Sequence, residues 1–161
     1  MSEGVEWALH SCLNLAWSSD GEGDGRAVSA ARLAAWHELP AAYLNKQLQA
    51  LARAGIVSST PGPRGGFRLA RPLDSISLMD VVAAVEGPDE AFRCAEIRQQ
   101  GPGGGEEPPA ADCAIAHAMG RAELAWRRAL AAQTLDEIRQ QAERQAPEAP
   151  ERLRAWLAAA R

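Results

Sequence analysis

Cysteine is scarce in this chain of 161 residues: Cys12, Cys94 and Cys113 are the three it has. An odd, low count without a secretory pattern argues against a disulfide framework, so each cysteine is either core filler or a chemical group. No basic segment followed by an apolar run opens the chain; no secretory signal is expected, and the expected location is the cytoplasm. No uncharged apolar stretch approaches the length of a membrane span, so no membrane partner is expected. A nucleophile–base constellation is also missing. Gly103-Gly104-Gly105 has no Lys-Ser/Thr after it and is not a phosphate-binding loop. An enzyme, and with it a small-molecule substrate, is therefore not expected.

What is present points elsewhere. Hydrophobic residues make up 47% and charged residues 24%, the balance of a globular chain rather than a disordered one. The net charge is −4, but the distribution matters more than the sum. Residues 26–72 hold Arg26, Arg32, Lys46, Arg53, Arg64, Arg68 and Arg71 against one acid, Glu38, and the other acids lie elsewhere in the chain. A basic middle on an acidic chain suits local contact with phosphates, although a solvated basic face has the same composition.

Periodicity sets the order of elements. Val5, Ala8, Leu9, Cys12, Leu15 and Ala16 recur at helical spacing, which predicts a helix over 3–18. Ser29 can cap a second helix through Trp36. A third is predicted from Pro40, placed at the first helical position, to Ala54, with Gly55 ending it. Ile56-Val57-Ser58-Ser59-Thr60, a Gly/Pro-rich turn and Phe67-Arg68-Leu69 then read as a β-hairpin. Three helices and a hairpin in this order predict a winged helix-turn-helix. A fourth helix follows over 77–86. A loop of roughly 25 residues comes next, rich in Gly and Pro and bracketed by Cys94 and Cys113. A long helix over 114–132 offers Leu124, Trp126 and Leu130 to a partner. Thr134 with Glu137 has the capping-box pattern of another helix, and 151–160 forms a last one with Leu153, Trp156 and Leu157 on one face. The expected fold is mainly α with a small β-hairpin wing: a DNA-binding winged helix over 1–86, a sensory loop over 87–113 and a helical dimerisation region over 114–161.

In such a module the second helix of the turn enters the major groove. Here its early exposed residues are Ala41, Ala42, Tyr43, Asn45 and Lys46, with Gln49 a turn later. Asn and Gln can pair with adenine, and Lys reaches guanine or phosphate. Arg64 and Gly65 at the wing tip suit a minor groove, where bare backbone allows close approach.

These residues carry a resemblance. Tyr43-Leu44, Leu48, Leu51-Ala52-Arg53-Ala54-Gly55-Ile56-Val57, Gly62-Pro63-Arg64-Gly65-Gly66-Phe67-Arg68-Leu69 and Leu78 to Gly87 resemble the Rrf-two family of bacterial winged-helix regulators. The resemblance implies a homodimer held by the long helix after the loop, a palindromic DNA operator and, commonly, repression. Iron–sulfur members usually have three clustered loop cysteines; this chain has two, with 18 residues between them. The segments around Glu6, His10, Cys94 and Cys113 are instead similar to redox-sensing members with a 2Fe-2S cluster. That similarity implies ligation by Glu6 and His10 of one subunit and by Cys94 and Cys113 of the other.

The residue chemistry is compatible. Glu6 and His10 stand i, i+4 on a helix, roughly 40° apart on the wheel and about 120° from the apolar face centred near Val5, Cys12 and Ala16. The pair therefore points away from the domain's own core. Cys12 lies about 160° from His10 by the same geometry and reads as a small core residue. Trp7, beside Glu6, is a candidate redox reporter, and His37 and His117 have no motif role. Two alternatives stay open at this level: a clusterless regulator using Cys94 and Cys113 as a thiol switch, and one binding a small-molecule effector.

Overall fold

The computed structural model describes residues 1–19, 27–62, 65–104 and 113–159. Residues 20–26, Arg64 at the expected wing tip and residues 105–112 of the expected sensory loop lie outside them. The first helix, α1 (Glu3–Trp17), buries eight of its fifteen residues. It is followed by α2 (Ala30–Trp36), whose Ser29 cap accepts from the Arg32 backbone N–H as expected. Helix α3 (Ala41–Arg53) starts one residue later than predicted: Pro40 has extended backbone (ψ 111°) and serves as the N-cap rather than the first helical residue. Its fixed φ suits either position, so composition alone does not separate them.

The hairpin pairs β1 (Val57–Thr60) antiparallel with β2 (Gly66–Leu69), in register Val57↔Leu69 and Thr60↔Gly66. Val28, just before α2, adds an isolated bridge to Phe67 on the outer edge of the hairpin. Gly66 makes this possible: at φ 152°, a Cβ there would lie 2.4 Å from the Val28 carbonyl carbon. The wing is thus fastened to the entrance of α2.

Helix α4 (Leu78–Glu86) carries a full capping box between Ser77 and Asp80. The described part of the following loop makes two short 3₁₀ turns, Ile97–Gln99 and Gly101–Gly103. Helix α5 (Ala114–Ala131) has no buried residue. The chain then returns. Helix α6 (Leu135–Gln145) starts with the expected Thr134/Glu137 capping box, and Ser77 and Thr134 form an isolated bridge. Leu135 donates its N–H to Ile76 at 2.8 Å and is itself fully buried. Helix α7 (Ala149–Ala159) takes Pro150 into its first turn and buries Leu153.

One apolar cluster holds these elements together. Ala8, Cys12 and Leu15 of α1 meet Leu33 of α2, Leu44, Leu48 and Leu51 of α3, Phe67 of the wing, Val81 of α4 and Leu135 of α6. The approach of α1 to α3 is close enough that a Cβ on Gly4 would sit 2.9 Å from Gln47 Nε2. Among the described residues, no helix is long and apolar enough to cross a membrane.

Candidate functional site

Helix α1 presents two faces. Cys12 lies in the core at 0% exposure, and burial pushes its thiol up to about 12, so it is an inert core residue as expected. Glu6 and His10 are exposed on the opposite side. Together with Trp7, His37 and Leu39 they line a cleft of about 200 Å³.

His37 has no motif role in the sequence, yet it is placed against this pair. Its ring centroid is 5.4 Å from that of His10, and Asn14 Nδ2 donates to its Nε2 at 2.8 Å. Burial, and secondarily the charge of His10, lower its pKa. Asn14 is buried one helical turn beyond His10 and fixes the ring. Residue types alone could not reveal this contact, because it joins positions 23 apart through the packing of α1 on the α2–α3 turn. His117, by contrast, is exposed on α5 and accepts from Arg121 Nη1 at 3.3 Å.

Trp7 links this cleft to α3. Its ring meets Tyr43 of α3 edge to face, with centroids 5.0 Å apart. The residue next to Glu6 is therefore in contact with the helix expected to read DNA. On that helix Ala41, Ala42, Tyr43, Asn45, Lys46 and Gln49 are all exposed, while Leu44, Gln47, Leu48 and Leu51 are buried. Gly65 is described, and its N–H donates to the Gly62 carbonyl at 2.9 Å.

The two remaining cysteines meet at a second place. Cys113 is the N-cap of α5 and Cys94 lies in the loop, and both line a cleft of about 550 Å³ with Phe92, Ile97, Arg98 and Ile115. The Cys113 pKa is lowered, first by the backbone N–H groups of Ala116 and Ile115, then by a hydrogen bond from Cys94 and by the charge of Arg98. A helix N-terminus and a nearby cation favour thiolate, the form that binds metal. Arg98 is oriented in turn by Glu96, which accepts from its Nη2 at 2.8 Å.

The start of the loop is pinned to α5. Arg127 Nη2 donates to the Asp89 carbonyl at 2.8 Å, and its Nε donates to Glu123 at 2.9 Å. Glu123 also accepts from the Ala91 N–H at 3.0 Å. The Arg127 guanidinium, followed by the Ala91 and Phe92 N–H groups, holds the Glu123 carboxyl below its usual range. In the sequence this i, i+4 pair looks like an ordinary solvated helix pair.

A single chain thus carries two separate pairs, Glu6 with His10 and Cys94 with Cys113. Among the described residues, no group of three or more His, Cys, Asp or Glu of one chain is arranged to hold a metal ion.

A family model described as "Rrf2: Iron-dependent Transcriptional regulator" matches residues 1–141. The chain belongs to the Rrf2 family. Among relatives, the chain is 32% identical over 138 residues to the putative HTH-type transcriptional regulator YffB of Lactococcus lactis, covering 86% of this chain and 85% of that protein. It is 39% identical over 59 residues to the HTH-type transcriptional regulator IscR of Cereibacter sphaeroides, 37% of this chain and 38% of that protein. The matches cover only 53%, 29% and 44% of three other curated relatives. Among solved structures, CymR, the global cysteine regulator of Bacillus subtilis, superposes with a TM-score of 0.63 at 26% identity, covering 88% of this chain and 96% of that one. The winged-helix expectation is borne out: Rrf2 regulators share the helical architecture with its two-strand hairpin, and they are transcription factors rather than enzymes.

Proposed function

We propose that this Rrf2 chain works as a homodimeric, redox-responsive repressor of transcription, sensing through a 2Fe-2S cluster held by Glu6 and His10 together with Cys94 and Cys113 of the partner subunit. The observation that carries the proposal is the pairing itself. Each chain offers a carboxylate–imidazole pair in one cleft and a cysteine pair, with Cys113 favoured as thiolate, in another, and the two clefts share no residue. Two thiolates, an imidazole and a carboxylate make a competent donor set for iron, and replacing thiolates by neutral His raises the potential of such a centre. When bound, the cluster would supply one-electron redox chemistry.

The chain's own residues supply the rest. His37, its ring fixed by Asn14, stands against the His10 ring. Glu123 and Arg127 fix the root of the loop that carries Cys94. Trp7 touches both the environment of Glu6 and, through Tyr43, the reading helix α3. A shift of Trp7 would bear on α3 directly and alter how Asn45, Lys46 and Gln49 meet a groove, with Arg64 and Gly65 at the wing. Operator affinity of a dimer depends on half-site spacing, so a small relative movement of the two heads is sufficient. The test is the visible spectrum of anaerobically purified protein with iron and sulfide counts. Two irons and two sulfides per site, lost in Cys113→Ser, are expected; colourless protein that stays iron-free after reconstitution defeats the cluster.

A second reading draws on the hydrogen bond between the two thiols. In it, an external oxidant removes two electrons and two protons from Cys94 and Cys113 to form a disulfide within one chain. It expects colourless protein whose gel mobility without reductant depends on both cysteines.

A further inference from the structure

The cation-lined cleft between α2 and α7 has no part in either reading. It measures about 280 Å³ and is lined by Ser18, Val28, Arg32, Arg154 and Leu157 together with small alanines. None of these residues lines the clefts of the candidate ligands. The size lies just below the usual range of ligand pockets, about 300–1,000 Å³, and suits only a small molecule.

Its chemistry is one-sided. Arg32 reaches in from α2 and Arg154 from α7. Arg32 Nη2 donates to the Leu157 carbonyl, its guanidinium carbon stands 5.6 Å from the centre of the Trp156 ring, and its Nε is buried without an acceptor. Arg154 Nη1 donates to the Trp17 carbonyl at 3.3 Å. Both arginines thus spend their bonds on neutral carbonyls, and among the described residues neither pairs with a carboxylate. Buried donors are normally satisfied, and Arg32 keeps donor capacity to spare. Ser18 Oγ donates its proton to the Leu15 carbonyl at 2.8 Å and so faces other groups as an acceptor. Val28 and Leu157 supply apolar walls. Two guanidinium charges in a concave site with apolar walls focus a positive potential and select an anion with some apolar body.

We infer that this cleft binds a small free organic anion, with a carboxylate or phosphate head and a short apolar tail. Such a ligand would bridge α7 to α2, the first helix of the helix-turn-helix pair, and give the regulator an input separate from the redox site. A duplex phosphate shares the head-group chemistry, but a concave cleft with apolar walls favours a free molecule.

The test titrates full-length protein calorimetrically with inorganic phosphate and with butyl phosphate at low ionic strength. Both are expected to bind, butyl phosphate more tightly. Arg154→Gln should weaken butyl phosphate at least about tenfold, the loss of one charge-assisted contact, without changing the melting temperature of the ligand-free protein. Arg154 is exposed, so this variant is expected to fold even if Arg32→Gln does not. Three results would overturn the inference: no binding of either anion, equal binding by Arg154→Gln, or a loss of duplex DNA affinity in ligand-free Arg154→Gln, which would make the arginine a DNA contact. The titration does not require the cluster, so its outcome is independent of the redox proposal.

Discussion

Helices α1 and α5 each carry one half of the candidate centre, and they could hardly be built more differently. Eight of the fifteen residues of α1 are buried in its own chain, whereas none of the eighteen of α5 is. Glu6 and His10 therefore stand on a helix whose position is set by the core beneath it. Cys113 caps a helix that leaves Ile115, Met119, Leu124 and Trp126 exposed at 65%, 42%, 48% and 36%. Scattered exposed apolar residues are ordinary, but this many along one helix fit the partner contact that the proposed homodimer needs. The contrast is one of preorganisation: in the proposed dimer, the first half would be fixed by folding and the second by assembly.

The contrast can be broken most forcefully on the α1 side. Leu15→Ala opens the cluster that α1 shares with α3, and it should cost about 2–5 kcal/mol in denaturant unfolding. An effect near zero would mean that α1 is not anchored as described. On the α5 side, Trp126→Ala should weaken the dimer by roughly ten- to a hundredfold in sedimentation equilibrium, in line with loss of an aromatic anchor. The far-ultraviolet circular dichroism of the head should not change. An unaltered dimer would place the seam elsewhere.

The cysteines sharpen the same comparison at single-residue scale. Burial raises the Cys12 thiol, whereas helix N–H groups lower that of Cys113. Alkylation of native, metal-free protein at neutral pH, followed by mass spectrometry, should label Cys113 at least about tenfold faster than Cys12. Comparable rates would remove the distinction between core filler and ligand.

The smallest effect belongs to the pin at the root of the loop. The Glu123 carboxyl is held below its usual range, so its stabilising contacts are complete at neutral pH. They are lost as the pH falls through the folded pKa. Limited proteolysis of the loop should therefore speed up a few-fold on acidification of the wild type. In Glu123→Gln it should already be fast at neutral pH and nearly flat with pH. Equal rates in the two proteins across that range would show that the pin does not order the loop.

Much of the head was legible in the sequence. Short-range rules located Ser29, Gly55, the hairpin and the Thr134/Glu137 box, because caps and turns are decided within a few residues. The exposed row on α3 followed from periodicity for the same reason. The helical wheel also separated Glu6 and His10 from Cys12. What escaped were contacts that only the packed chain creates. His37 against His10, Trp7 against Tyr43 and Glu123 against Ala91 each join distant segments through ordinary residue types. The return of α6 and α7 escaped too, since an amphipathic pattern shows which face is apolar but not what will cover it.

That return has a consequence for biosynthesis. Leu135 and Leu153 close a core whose other members lie mostly before residue 82. A ribosome making this chain must therefore release α5 before the DNA-reading head can be sealed, although domains commonly fold as soon as they emerge. Head and arm mature as one unit, and a truncated product lacking the last helices would expose its unfinished core to quality control instead of competing for the operator.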